Sequence, residues 1–245
     1  MAETTIQPGT PAGDPRAGGR VALDRHDWRA AYDLLTEADR TGNLGGADLE
    51  AFAVAAFLSG EAETGREIKE RAYRAYVAEG NRDRAAFIAL DIAHEHGYAG
   101  RYSIATAWMG QAERLLEGHP ESAGHGYLAL LRSEAAAAAG NLDGALALAQ
   151  EAIDVGGRVA DPDLGAFAKT NLGFLKISSG DAQGGFALME EASIAAINDE
   201  LSPIVSGITC CRLISACRDL TDYQRANEWI EATESYCKRQ AVSGF

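Results

Sequence analysis

The sequence predicts an all-α protein built as a solenoid of stacked antiparallel helix pairs. Three observations carry that prediction: short loops recur at near-constant spacing, small residues recur in register with them, and no segment alternates with the period of a strand. The loops are HDWRAA from His26, GEAETG from Gly60, GRYSIA from Gly100, GNLDGA from Gly140, GDAQGG from Gly180 and TDYQRA from Thr221. Their starts lie 34, 40, 40, 40 and 41 residues apart. A period in this range marks stacked units that each bury an apolar face against the next.

The register extends beyond the loops. Five residues after each start stand Ala31, Gly65, Ala105, Ala145, Gly185 and Ala226, and twelve after stand Ala38, Ala72, Ala112, Ala152, Ala192 and Thr233. Seven before the starts from Gly60 onward stand Ala53, Ala93, Ser133, Gly173 and Ile214. Helices joined by a tight turn approach most closely where side chains are smallest, and a larger residue there overpacks. Ile214 breaks the pattern, so the last pair is expected to pack more loosely.

The loops divide the chain into elements. Second helices of pairs are expected at 27–41, 62–79, 102–117, 142–157, 182–198 and 222–239, and first helices at 47–59, 82–98, 121–139, 162–179 and 203–219. A short helix near 19–25 completes the opening pair. Gly60, Gly100, Gly140 and Gly180 fall where first helices must stop, a place that favours the left-handed conformation open to glycine. Asp161-Pro162 and Ser202-Pro203 set a capping side chain before a proline at the first helical position. Residues 1–19 are rich in Pro, Gly, Thr and Ala and read as a disordered tail. The repeat domain then covers 20–245.

Composition narrows the function. Apolar residues make up 47% of the 245, enough for a long core, while aromatics are only 7%. Lys and Arg number 22 against 36 acids, for a formal charge of −14, and the longest basic run is Lys238-Arg239. A phosphate-binding surface needs clustered cations, so direct nucleic-acid binding is not expected. There is neither a signal-peptide pattern nor an apolar run long enough to span a membrane. Cys210, Cys211, Cys217 and Cys237 form no CxxC and read as reduced thiols, which points to the cytoplasm. Cys210 and Cys217 share a helix face with core positions and read as buried small hydrophobes.

The loop form Gly-Asp/Asn-x-x-x-Ala, flanked by small residues seven before and twelve after, resembles the tetratricopeptide repeat. GNLDGALALAQEAI (140–153) matches it most fully. The resemblance covers about residues 20–240 and implies a right-handed superhelical solenoid, here with a period of about 40 in place of the family's usual 34. RHDWRAAYDLLTEAD (25–39) followed by GADLEAFAVAAFLSG (46–60) also looks like the repeat region of large LuxR-type bacterial transcriptional regulators. That likeness implies the regulatory part of a multidomain protein. The family's Asn/Lys/Arg clamp for a peptide carboxylate is not evident, since Lys169 and Asn171 stand alone.

No phosphate-binding GK[ST] loop, GxSxG elbow or HExxH motif occurs, so no enzyme activity and no cofactor are expected. His94-Glu95-His96 invites a metal reading, but residues two apart on a helix point about 200° apart. His94 is instead expected to line a groove and His96 to pack between helices; no metal is expected.

The first helices of such pairs line the concave side, where the 40-residue spacing turns single residues into ladders. Phe87, Tyr127 and Phe167 stand thirteen before their loop starts; Val54, His94, Glu134 and Phe174 stand six before; Phe57 and Ile177 stand three before. Aromatics with one acid and one histidine could clasp an apolar or amphipathic peptide. The alternative is that Phe87, Tyr127 and Phe167 seal one repeat onto the next. At the other end, Trp229, Ile230 and Tyr236 on the last helix lack a polar capping helix, so they are expected to meet a further segment of chain or a second subunit.

The sequence thus points to a protein–protein interaction scaffold with a protein or peptide partner. A second reading is a sensing module for a small molecule or signal peptide. An enclosed aromatic pocket near Tyr127 and Phe167 would favour the second over a flat open groove.

Overall fold

The structure is a computed structural model that describes residues 14–42 and 44–241. Helices α1 (Pro15–Asp24) and α2 (Trp28–Thr41) form the first pair, followed by α3 (Gly46–Leu58) with α4 (Ala62–Ala78) and α5 (Arg82–Tyr98) with α6 (Tyr102–Leu116). Next come α7 (Ala123–Ala138) with α8 (Leu142–Val159), α9 (Pro162–Ser178) with α10 (Ala182–Ile197), and α11 (Pro203–Asp219) with α12 (Tyr223–Gln240). No strand occurs among the described residues. The architecture is therefore all-α, six tetratricopeptide-like pairs in one solenoid.

One boundary differs from the sequence reading. Helix α1 starts at Pro15, inside the segment expected to be tail. The reason is local: Asp14 accepts a hydrogen bond from the Arg16 amide, and Pro15 is preset for a first helical position. Gly19 and Ala22 of this helix are buried, and a Cβ at Gly19 would sit 2.6 Å from Leu35 Cγ of α2. Residues 1–13 of the expected tail lie outside the described residues.

The loops work by two backbone demands. Gly60, Gly100, Gly140 and Gly180 end their helices with φ of 86°, 71°, 78° and 98°, the left-handed region that glycine enters without Cβ strain. The next residue can then cap the following helix: Asn141 and Asp181 accept from the amides of Gly144 and Gly184. Asp27 and Asp222 do the same for Ala30 and Arg225. In these first and last units the left-handed position is held by His26 (φ 58°) and Thr221 (φ 60°) instead of glycine.

Small residues mark where the two helices of a pair touch. Ala31, Ala72, Ala112, Ala145, Ala152, Ala53 and Ala93 are all at most 1% exposed. A Cβ on Gly65 would meet the Ala53 carbonyl oxygen at 3.3 Å, and one on Gly173 would meet the Gly185 oxygen at 2.6 Å. The residue seven before a loop therefore lies on the residue five after it. In the α7/α8 pair this contact becomes a hydrogen bond, with Ser133 Oγ donating to the Ala145 oxygen at 2.8 Å. Asn171 of α9 donates to Ser133 Oγ at 2.9 Å, which ties that crossing to the next unit. Polar groups this deep are stable only when partnered.

Between units, ion pairs supplement the apolar core. Arg71 of α4 forks onto Asp39 of α2 at 2.6 and 2.8 Å. Lys69 is buried and donates to Asp91 at 2.7 Å and Glu95 at 2.5 Å. Burial works against its charge, yet these two carboxylates outweigh burial and hold the ammonium well above its usual range.

The first and last pairs meet. Trp28 Nε1 at the start of α2 donates to the Gln240 carbonyl at the end of α12, 3.3 Å away. Ile204 at the start of α11 packs against the cluster of Trp28, Leu58, Leu23 and Val54. The array thus curls until side chains of its first and last pairs touch, which encloses part of its concave side.

The α9/α10 crossing is the tightest test of the packing. Gly173→Ala should lower unfolding free energy in urea titration by about 1–3 kcal/mol, because neither the Gly185 backbone nor Met189 has room to retreat. Thr221→Gly should act oppositely, raising stability by about 1 kcal/mol through removal of the Cβ from a left-handed position. Equal midpoints for the two variants would contradict this reading of the loops and crossings.

Candidate functional site

The concave side holds a half-enclosed pocket of about 340 Å³. Five first helices contribute its walls: Val54 from α3, Phe87 and Ile88 from α5, Tyr127 from α7, Phe167 from α9, and Ile204 and Ile208 from α11. Closure of the ring supplies the α11 wall. Polar groups enter between these side chains: Glu50, Lys69, Arg84, Asp91, His94, Asp161, Asp163 and Ser202.

The aromatic ladder both seals and lines. Phe87 and Tyr127 meet edge to face at 5.1 Å between centroids, and the Arg84 guanidinium lies 4.5 Å from the Phe87 centroid. Phe167 is buried, with the His94 ring edge-on at 5.2 Å. The two readings of these three residues are therefore compatible, since each packs between units and leaves an edge on the pocket. Ile208 continues the same ladder thirteen residues before Thr221; it escaped a search for aromatics because it is aliphatic.

A polar tie crosses the concave side beside the pocket. Arg212 of α11 donates to Glu134 of α7 at 2.8 Å and to Tyr98 Oη of α5 at 3.0 Å, and its guanidinium lies 5.2 Å from the Phe167 ring centroid. His94 sits against this tie, stacked edge-on with Tyr98 at 4.9 Å, its Nε2 3.9 Å from a Glu134 oxygen. That nitrogen is buried without a hydrogen-bond partner. Burial lowers the His94 pKa, with Glu134 working against this and Arg212 with it, so the site favours the neutral imidazole. Arg212 lies outside the ladders, and no spacing in the sequence marked it.

Other charges are arranged in pairs. Glu50 accepts from Tyr76 Oη at 2.6 Å and pairs with Arg84. Burial, then the Glu50 hydrogen bond, pushes the Tyr76 phenol up to about 12. Asp163 accepts from the Ser202 amide at 2.8 Å, which joins the starts of α9 and α11. Burial pushes its carboxyl up, that hydrogen bond pulls it back, and Asp161 adds repulsion.

Several expected residues fall elsewhere. Phe57 and Phe174 are 38% and 47% exposed toward the ends of α3 and α9 and do not line the pocket. Ile177 packs against the Phe186–Met189–Leu213 cluster. His96 is not wedged between helices: it accepts from Arg101 Nε at 2.7 Å across the α5–α6 loop. On α12, Tyr236 is 2% exposed and Trp229 packs on the same cluster as Ile177, so only Ile230 of that trio is open, at 37%. The surface expected to meet a further segment or a second subunit is thus largely taken up by contacts of α12 with α10 and α11.

No family model matches the sequence, and no curated protein matches it. Solved structures do match the fold. NprR in complex with its cognate peptide NprX superposes with a TM-score of 0.66 at 12% identity, over 94% of this chain and 70% of that one. The Rap conjugation gene regulator of plasmid pLS20, in complex with a Phr peptide, gives 0.57 at 12% identity over 94% and 76%. The APC/C hetero-tetramer Cut9–Hcn1 gives 0.63 at 12% identity over 91% of this chain. The chain spans only 39% of that Cut9–Hcn1 chain. At these identities the likeness is one of fold: a solenoid of tetratricopeptide-like helix pairs with a concave inner surface.

Proposed function

We propose that this chain is a binding module that takes a short peptide segment into the pocket on its concave side. The observation that carries the reading is the pocket itself, where five inner helices converge on apolar and aromatic walls with a few polar groups between them. Binding sites for small ligands have this composition, and about 340 Å³ is at the small end of their range. A long helical partner would want an open groove, whereas the α11 wall of Ile204 and Ile208 limits this space to a few side chains. That moves the weight from a general scaffold toward the sensing reading.

Two comparisons support a peptide occupant, because NprR and the Rap regulator are each described with a bound peptide. The cations of the pocket are held by its own acids, Lys69 by Asp91 and Glu95 and Arg84 by Glu50. The broader role we assign is regulatory, in a LuxR-type transcriptional regulator or a similar multidomain signalling protein. The likeness of residues 25–60 to the repeat regions of such proteins motivates it. The four thiols are free, and no described helix is long and apolar enough to cross a membrane; both fit action in the cytoplasm.

Selection of random heptapeptides on the purified chain tests the reading. Peptides so obtained should lose at least about tenfold in affinity for Ile208→Trp, which fills the pocket, and for the milder Val54→Leu a smaller amount. Retained melting temperatures would show that both variants fold. Peptides that bind both variants as tightly as the unmodified chain would sink the proposal.

A further inference from the structure

The pocket does not end at its walls. Asp161, Asp163 and Ser202, which line it at the starts of α9 and α11, also line a second depression of about 570 Å³ on the adjoining surface. That shelf is bounded further by Glu121 and Glu200, and no Lys or Arg is among its lining residues. An apolar cavity thus shares a border with a surface that carries four carboxylates.

The charges differ in how they are met. In the pocket, Glu50 is matched by Arg84 and Asp91 by Lys69. On the shelf, Arg158 reaches Glu121 from outside with two hydrogen bonds of 2.8 Å. Asp161 and Asp163 accept from the amides of Leu164 and Ser202, and neither has a cationic side chain within ion-pair distance among the described residues. Two carboxylates at one border, met by backbone amides and by no cationic side chain, set a negative potential beside an apolar space. One polar atom of a lining residue is unpartnered: His94 Nε2 is buried with no hydrogen-bond partner among the described residues.

We infer that the occupant is a basic amphipathic peptide, with an apolar side chain seated among Phe87, Tyr127, Phe167 and Ile208 and a Lys or Arg side chain placed on Asp161 and Asp163. The inference rests on the peptide-binding reading above and adds the chemistry of the peptide. A formal charge of −14 on the chain draws such a peptide in at long range. Like charges on the shelf reject acidic segments, so the same groups supply attraction and discrimination. Burial raises the Asp163 carboxyl, and a bound cation would reverse that by favouring the ionised form.

The variants that test this keep the fold. Asn accepts the same amide hydrogen bonds and caps a helix as well as Asp does, so Asp161→Asn with Asp163→Asn removes charge alone. Heptapeptides selected on the full chain should be enriched in Lys or Arg within about three residues of a Leu, Ile or Phe. Their affinity should fall about tenfold or more in the double variant and fall with added salt. Selected peptides that lose binding to Ile208→Trp but carry no basic excess, or bind the double variant unchanged, would overturn this inference and leave the pocket reading standing. Peptides indifferent to Ile208→Trp would overturn both.

Discussion

The close approach of two helices at a small residue is the constraint on which the rest of this structure depends. At three crossings the residue seven before a loop meets the residue five after it: Ala53 meets Gly65, Ser133 meets Ala145 and Gly173 meets Gly185. Side chains of one carbon or none let the backbones touch. Repeated every 40 or so residues, the same contact gives each unit the same tilt against its neighbour. A solenoid made this way has a set curvature, and here the curvature brings the last pair back to the first.

Ring closure then turns a surface into a site. The Trp28 indole on the Gln240 carbonyl and Ile204 in the Leu58–Val54 cluster bring α11 opposite α3 and α5. Without that approach, Phe87, Tyr127 and Phe167 would line an open trough. With it they are three sides of a pocket whose fourth is Ile204 and Ile208. Beside it, Arg212 joins Glu134 and Tyr98 across the concave side. The polar groups at the opposite border, where α9 and α11 begin, are the ones we propose meet a ligand's charge.

The parts legible in the sequence were those fixed by local demands. Left-handed caps call for glycine, tight crossings call for Ala, Gly or Ser, and both recur, so loops and helix pairs could be read within a few residues. Asp14-Pro15 carried the same start signal as Asp161-Pro162, but the Gly- and Pro-rich surroundings obscured it. Half of the site was legible too, since the Phe87, Tyr127 and Phe167 ladder follows the repeat. The other half was not. Trp28 and Gln240 are 212 residues apart, and the acceptor is a backbone carbonyl, which leaves no mark on residue identity. Arg212 matters only because curvature brings α11 across to α5 and α7. Phe57 and Phe174 sit in the repeat register as well as His94 does, yet they lie where the inner surface opens to solvent.

Closure of the ring is the claim on which the pocket and its ligand both rest, and solution scattering measures it directly. Ile204→Asp places a charge in the Trp28–Leu58 cluster and should spring the first pair from the last. The account predicts a larger radius of gyration for this variant than for the unmodified chain, with helix content by circular dichroism unchanged. Equal radii with an intact fold would contradict it: the two ends would then not hold each other, and the concave side would be an open trough.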